Sequence, residues 1–517
     1  MKAIVGAGLL MSLMATGGAA GAESGAALRE KVRAWRVAHE KEIVRELVDL
    51  LALPNVADNL ADIDRNAAHL QGMLRRRGFE TRLLSAGEGT PPSVYGERKT
   101  PGAVRTLVLY AHFDGQPVDQ EGWLSDPWKA VMRDGPPGPD AKDAKEVDWA
   151  AAPGPLDPEW RLYARSASDD KSPIVAILAA LDALNAAKVQ PSVNLKLFLE
   201  GEEEQGSQHL TAILEKHKDL LAADAWVLCD GPVHTTRAMQ VYFGARGVTG
   251  LEMTVYGPMR PLHSGHYGNW APNPAVTLAH LVASMRDEDG HILIPGFYDD
   301  VRPLTEAEKR ASAAMPVVEE GLRRDLGLGR TEGGGDARLQ DRIMEPALNL
   351  RGLRSAGVGA AAANAVPTEA QASVDFRLVP DQTPEKVRER TETWLRARGW
   401  HLASEAPDRE ARLAHPKIVR LDWSLNYPAA RTAMDLPASR AVVAAVEKVT
   451  GKPVLQVPML GGSVPMYLFT DTLKVPIVGV PMVNHDNNQH GINENLRLQN
   501  LWDGIEVYAG LMAGLAW

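Results

Sequence analysis

The stretch LKLFLEGEEEQGSQH, residues 195–209, places Glu200, Glu202, Glu203 and Glu204 at the end of an apolar run. Carboxylates this close repel one another unless they face water, share protons or meet a cation. Other segments set acids or histidines in the same kind of place, after an apolar run or in a polar loop beside one. LYAHFDGQPVD offers His112 and Asp114, ARSASDDKS offers Asp169 and Asp170, and VLCDGP offers Asp230. Far along the chain, NHDNNQHGINEN adds His485, Asp486 and His490. Each segment alone has an ordinary reading. A Glu run is most often a solvated helix start favoured by the helix dipole, and a lone histidine is usually a surface or hydrogen-bonded core residue. Together they point elsewhere, because several unpaired acids at the ends of buried strands are costly without a cation. Neither HExxH nor CxxC occurs, so the spacing is compatible with a metal hydrolase and says no more.

Such loops can meet only if a scaffold brings them together. VRTLVLYAH, LKLFLE and AWVLCD read as near-continuous buried strands, with helical patterns through IVAILAALDALNAA and GSQHLTAILEKHKDLL between them. Strands of this kind are expected where helices cover both faces of a sheet. The alternation predicts an α/β sheet domain, and ligand sites in such sheets gather at the carboxyl ends of the strands. Upstream lie a long helical pattern over 24–53 and a second that stops near Gly78. Residues 115–160, rich in Pro, Gly and Asp, predict a long surface excursion at a mouth. Near residue 245 the pattern changes. GVTGLEMTVYG alternates like a half-exposed strand, a helix follows over 273–286, and a charged helical region covers about 304–326. EAQASVDFRLVP is another alternating strand, and Pro384 and Glu385 open a helix to about 397. The expected organisation is a first domain over 23–246, an inserted α+β domain over 247–395, and a return to the first domain over 396–517.

In their order, these segments resemble the motifs of the M20 metallopeptidase family, most closely its carnosinase-like dipeptidase branch, from about residue 30 to the C-terminus. The resemblance implies an α/β fold: a zinc-peptidase catalytic domain with a central mixed β-sheet flanked by helices, plus an inserted α+β lid and dimerisation domain. It implies two Zn2+ per subunit, with other divalent metals as alternatives. His112 and Asp230 match ligands of the first zinc, Glu204 and His490 those of the second, and Asp169 the carboxylate bridging both. Asp114 matches the acid that supports the site, Glu203 the general base, and Glu494 a structural support. A cis bond between Asp169 and Asp170 is implied as well. By the same resemblance Glu203 takes a proton from a metal-activated water that attacks the peptide carbonyl, then passes a proton to the leaving amine. In PLHSGHYGNW, His263 matches a donor to the oxyanion that reaches across the dimer in relatives, with His266 as the nearby alternative. In DFRLVPDQTPE, Arg377 matches a binder of the substrate carboxylate, though an Arg at a sheet edge also pairs with a local acid. Gly462 and Ser463 in MLGGSVP resemble the loop contacting the substrate end. Two departures stand out. Met459 and Leu460 replace charged residues that relatives often carry, which would make that pocket wall more apolar, and Ser166 stands where the family commonly has Gly. Glu200 and Glu202 fall outside these roles, and are expected to be exposed or structurally hydrogen-bonded.

The 517 residues exceed one ordinary domain, and 56 Lys plus Arg against 66 Asp plus Glu give a formal net charge of -10. That balance gives no reason to expect a nucleic-acid partner. The single cysteine, Cys229, excludes an intrachain disulfide and reads as a core side chain. Met1 to Ala22 has a positive start, a short apolar run and a small-residue cleavage site at Ala20, Gly21 and Ala22. This pattern predicts a signal peptide over 1–22, and hence a periplasmic or secreted protein with no stable membrane insertion after cleavage. The expected partners are a dipeptide or short peptide substrate and a second copy of the chain in a homodimer. An N-acyl amino-acid hydrolase or carboxypeptidase with the same centre is the enzymatic alternative, and a noncatalytic binding protein on the family fold is the other. By resemblance, IPGFYDDV at 294–301 and the 115–160 excursion favour the dipeptidase branch.

Overall fold

The computed structural model describes residues 25–119, 121–136 and 144–517. The signal-peptide segment lies outside the described residues. An eight-stranded mixed sheet forms the first unit, in the order 80–84, 93–98, 194–200, 106–112, 225–228, 477–479, 240–242, 455–457. Its centre is parallel: Thr106–His112 lies between Asn194–Glu200 and Ala225–Leu228, and Ile477–Gly479 runs parallel beyond them. The apolar runs are explained by burial on both faces. Leu107, Leu109 and Ala111 join one core with Leu195, Leu197, Leu199, Val227 and Cys229, under the helices Lys171–Ala186 and Leu498–Gly514. The alternate residues Val108, Tyr110, Phe198, Trp226 and Leu228 join a second core with Met466 and Phe469 of the helix Met466–Leu473. Four neighbouring parallel strands therefore present their carboxyl ends side by side, and the loops leaving them carry the site.

The long N-terminal helical pattern is two helices, Gly25–Ala38 and Glu40–Leu51, parted at His39. Within the 115–160 excursion, Val131–Arg133 pairs with Arg161–Tyr163, which pairs with Asn495–Arg497. The excursion also docks on the site loops, since Pro127 O accepts Arg165 N–H and Asn493 accepts Leu124 N–H.

The second unit is a five-stranded sheet ordered 347–354, 369–378, 247–256, 418–427, 401–403. One face packs Leu251, Met253, Val255, Val374 and Phe376 against Leu278, Leu281, Val387 and Leu395 of the helices Pro274–Ala283 and Pro384–Ala397. This sheet corrects the expected boundary. The chain does not return to the first unit at 396: Ile418–Tyr427 pairs along Val248–Val255, and His401–Ala403 adds an edge strand. Val419, Leu421 and Trp423 alternate with Arg420, Asp422 and Ser424, a half-buried strand pattern that extends the unit past 395. The return comes at Ala430–Arg431, which pairs with Gly244–Ala245.

Close approach at the sheet centre leaves no room for a side chain at Gly479, where an added Cβ would enter the Tyr242 ring. Tyr242 donates through its hydroxyl to Asp230 O at 3.1 Å, so its position also bears on the site. Gly479→Ala should destabilise the protein by about 1–3 kcal/mol, as overpacking does. Urea unfolding checks this, and an unchanged midpoint would show that the ring moves aside freely.

Candidate metal centre

His112 ends the strand Thr106–His112 and is fully enclosed. Asp114 follows in the turn and works in two directions. Its Oδ1 lies 3.3 Å from His112 Nδ1, and its backbone oxygen 3.2 Å from the same nitrogen. Its two oxygens also accept the backbone N–H groups of Glu203 (3.0 Å) and Glu204 (2.9 Å). One buried carboxylate thus orients the histidine and fixes the turn bearing the adjacent glutamates, leaving His112 Nε2 to face the interior of the site.

That nitrogen lies 3.0 Å from Asp169 Oδ1, while Asp169 Oδ2 lies 3.1 Å from His490 Nε2. His490 Nε2 is also 3.3 Å from Glu204 Oε2. Asp169 therefore sits between two histidines, one oxygen to each, as a bridging carboxylate would. The donor atoms fall into two clusters: His112, Asp170 and Asp230 form one, and Asp169, Glu204 and His490 the other, each within 4.8 Å. Asp170 had no ligand role in the sequence reading. Its Oδ2 accepts His112 N–H at 3.2 Å, and its Oδ1 has no partner among the described residues. The bond between Asp169 and Asp170 is cis, as the resemblance implied.

Glu494 holds this segment in place. Its Oε1 accepts from Ser168 N, Ser168 Oγ and Asp169 N, each at 2.9 Å. Its Oε2 accepts from Arg165 Nη1 (2.9 Å) and Ser166 N (3.0 Å). The same contacts account for Ser166 at a glycine position: its φ is 60°, in the left-handed region that suits glycine, and its Oγ also accepts from Asn55 Nδ2 at 3.0 Å.

The acids are pulled in opposite directions. Burial opposes ionisation of Asp169, but hydrogen bonds from His112 and His490 outweigh it and hold its carboxyl well below the usual range. Burial and the Asp169 charge push Glu204 up to about 8 and Asp230 up to about 6. Burial drives Glu203 well above the usual range; the nearby His112 opposes this, while the charges of Asp230 and Glu204 add to it. Hydrogen bonding to Asp169 raises His490 to about 9. The two groups of imidazole and carboxylate donors are of the kind that hold a divalent metal ion once deprotonated. Gln116 and Gln489, missed in the sequence reading, complete the rim. Gln116 Nε2 donates to Glu204 at 2.7 Å and Gln489 Nε2 to Asp169 at 3.4 Å. Their signal was adjacency to His112 and His490 in the same motifs.

Glu200 and Glu202 are buried, each with a local partner. Glu200 accepts from the Tyr110 hydroxyl at 2.8 Å, and Glu202 accepts from His209 N at 3.0 Å. Arg377 and Ser463 meet across the two units: Arg377 Nη1 donates to Ser463 Oγ at 2.8 Å, and its Nε to Asp375 at 3.0 Å. Gly462 is exposed beside them. Met459 is fully buried against Met344 and Val379, and with the half-buried Leu460 it lines a small, mostly apolar cavity that also takes in Met315, Leu322 and Ile343. His263 is not brought to the cluster within this chain. It is exposed on the second unit, its ring 4.5 Å from that of His266. Its Nδ1 accepts Gly265 N–H at 3.1 Å, which leaves Nε2 of the neutral ring as a donor.

A model of peptidase family M20/M25/M40 matches residues 108–514. The Cys-Gly metallodipeptidase dug1 of Schizosaccharomyces pombe is 27% identical over 431 residues, covering 82% of this chain and 83% of that protein. The human Beta-Ala-His dipeptidase is 26% identical over 516 residues, covering 95% and 93%. The solved M20 family metallo-carboxypeptidase Sso-CP2 from Sulfolobus solfataricus superposes with a TM-score of 0.73 at 26% identity, covering 92% of this chain and 99% of that one.

Glu494→Gln tests the anchoring of the Asp169 loop. Whichever way the amide turns, its N–H2 faces donors that now meet a carboxylate oxygen, and the buried Arg165 loses its charged partner. The expected loss is about 3–5 kcal/mol of stability, with weaker retention of divalent metal in equilibrium dialysis. Wild-type stability and metal content would rule out the anchoring role.

Proposed function

Since this chain belongs to peptidase family M20/M25/M40 and is a peptidase, we propose that it is a di-zinc dipeptidase acting on dipeptides or short peptides with a free C-terminal carboxylate. The observation that carries the reading is Asp169, whose two oxygens each meet a different histidine. Dipeptidase relatives matched over most of their length support the substrate class. The proposed holders are His112, Asp230 and Asp169 for one ion, and Asp169, Glu204 and His490 for the other, with Asp170 adjacent to the first. When bound, such a pair of divalent cations supplies Lewis acidity for the carbonyl and lowers the pKa of an attacking water.

The remaining steps belong to side chains. Glu203, whose carboxyl burial raises well above its usual range, is the group that takes the water's proton and delivers a proton to the leaving amine. Asp114 keeps the Glu203 backbone fixed while this happens. Arg377, with Ser463 and the Gly462 loop, receives the substrate carboxylate. His263 donates from Nε2 to the developing oxyanion, reaching it from the second subunit of a homodimer. We further propose export to the periplasm or medium, on the pattern of residues 1–22. Among the described residues, no helix is long and apolar enough to cross a membrane.

Zinc-loaded, metal-quantified protein should hydrolyse members of a panel containing Cys-Gly, β-Ala-His and other free dipeptides, and chelation should abolish this. Faster cleavage of N-acyl amino acids than of any dipeptide would replace the reading with an acylase. Glu203→Gln should keep its zinc and lose turnover by about 10²-fold or more; normal turnover would remove Glu203 as the base.

His263→Ala should lower kcat by about 10²–10³-fold, as loss of an oxyanion donor does, at unchanged metal content. Mixing Glu203→Gln with His263→Ala subunits should restore activity, because one site of a mixed dimer then has both groups intact. Failure to restore it would place His263 outside the partner's site.

A further inference from the structure

The second sheet brings Tyr427 to the substrate side of the cleft. Val248, at the start of its strand, faces Arg377 on one neighbouring strand and Tyr427 on the other. The register slips by one residue between Val248 and Thr249, skipping Asn426, and this bulge reverses the alternation so that Tyr427 projects to the same face as its opposed residue Val248 rather than with Leu425 and Trp423. This face is the one opposite the packed side chains Leu251, Met253 and Phe376. Arg377, Val248 and Tyr427 therefore form one row, with the aliphatic residue between a guanidinium and a phenol. Adjacent strands lie about 4.8 Å apart, so the two outer residues stand about 10 Å apart at the backbone. That gap can hold a small anion between two long side chains.

Three observations say what such a row could do. Arg377 already uses Nε on Asp375 and Nη1 on Ser463, and Nη2 has no partner among the described residues. A carboxylate bound there meets a partly committed guanidinium, and its second oxygen needs another donor. The Tyr427 hydroxyl has no hydrogen-bond partner among the described residues, although the residue is only 9% exposed. Burial, followed by the charge of Glu203, raises the phenol far above its usual range, with Arg377 opposing. The hydroxyl is therefore a donor at every working pH, and it lies within the electrostatic reach of both the proposed base and the proposed carboxylate binder.

We propose that Tyr427 is a substrate-contacting residue that donates a hydrogen bond to the C-terminal carboxylate of a bound dipeptide, sharing that group with Arg377 above Val248. The assignment rests on the dipeptidase reading and adds to it the residue that completes the carboxylate grip. It is a grip on a part of the substrate that does not react, so it contributes to binding in the ground and transition states alike.

Tyr427→Phe removes the hydroxyl and keeps the ring. In the zinc-loaded full chain, with Ala-Leu and the amide Ala-Leu-NH2 as probes, the variant should raise KM for Ala-Leu about tenfold, with kcat within about threefold. The amide, which lacks the carboxylate, should distinguish wild type from variant by less than about twofold. Calorimetric binding of Ala-Leu to Glu203→Gln, with and without Tyr427→Phe, gives a readout free of turnover and should show the same tenfold weakening. Equal KM and equal binding in the two proteins would overturn the carboxylate contact. A fall in kcat at unchanged KM and zinc content would also overturn it, moving Tyr427 to the reacting centre. Equal weakening of the acid and the amide would reduce the residue to a packing role. The dipeptidase reading fails separately, if the wild-type chain neither binds nor cleaves free dipeptides; a Tyr427 failure leaves wild-type hydrolysis intact.

Discussion

Crowding of carboxylates at the carboxyl edge of a parallel sheet is the constraint on which the rest of this molecule depends. Asp170, Glu204 and Asp230 come from separate chain segments into one region, where both burial and repulsion from neighbouring carboxylates oppose ionisation. The acids divide by how their charge is met. Asp114 and Glu494 accept several hydrogen bonds, most of them from backbone amides, and so need no further cation. Glu204 accepts from Gln116 and Asp230 from the Gly231 amide, too little to offset burial and the Asp169 charge, which raise them to about 8 and about 6. The first class fixes the loops, and the second is left for an ion.

This division explains why distant segments are joined so firmly. Glu494, near the C-terminus, holds the 165–169 loop, while Asp114 holds the 203–204 turn. The positions of the ligands are therefore settled by hydrogen bonds that do not involve the ligand atoms themselves. A site organised in this way binds with little rearrangement of its backbone. The substrate end is organised differently. Arg377 belongs to one sheet and Ser463 to the loops of the other, and the chain passes between the units where Gly244–Ala245 pairs with Ala430–Arg431. At Gly247 an added Cβ would collide with the backbone at Pro428 and Ala429. The crossing is thus made by close backbone contact, and Arg377 lies beside it, opposite Val248 on the paired strand.

Much of the first unit was legible in the sequence because its strands are buried on both faces. VLYAH, LKLFLE and AWVL leave no polar alternation to mislead, and the acids that follow them mark strand ends. The boundary at 395 was misplaced for the opposite reason. IVRLDWSLNY alternates as a strand should, but it follows a helix that looked like a natural stop, and its pairing with the distant Gly247–Tyr256 strand, bulge included, is set only in the fold. Glu200 and Glu202 could not be told from solvated acids, since their partners Tyr110 and His209 are set by strand register and a local turn. Tyr427 had no signal at all: its place beside Arg377 exists only through pairing across the intervening strand.

The two halves of the centre are not equivalent. The histidine of one, His112, is wholly enclosed, whereas the His490 side chain is 56% exposed while sharing Asp169 with it. Gln116 and Gln489 lie on the same open side, donating to Glu204 and Asp169. Water and a peptide must therefore approach past Glu204 and His490, with His112, Asp170 and Asp230 forming the closed floor. Glu203 stands next to Glu204 on the turn that Asp114 fixes, where the charges of His112, Asp230 and Glu204 all act on it.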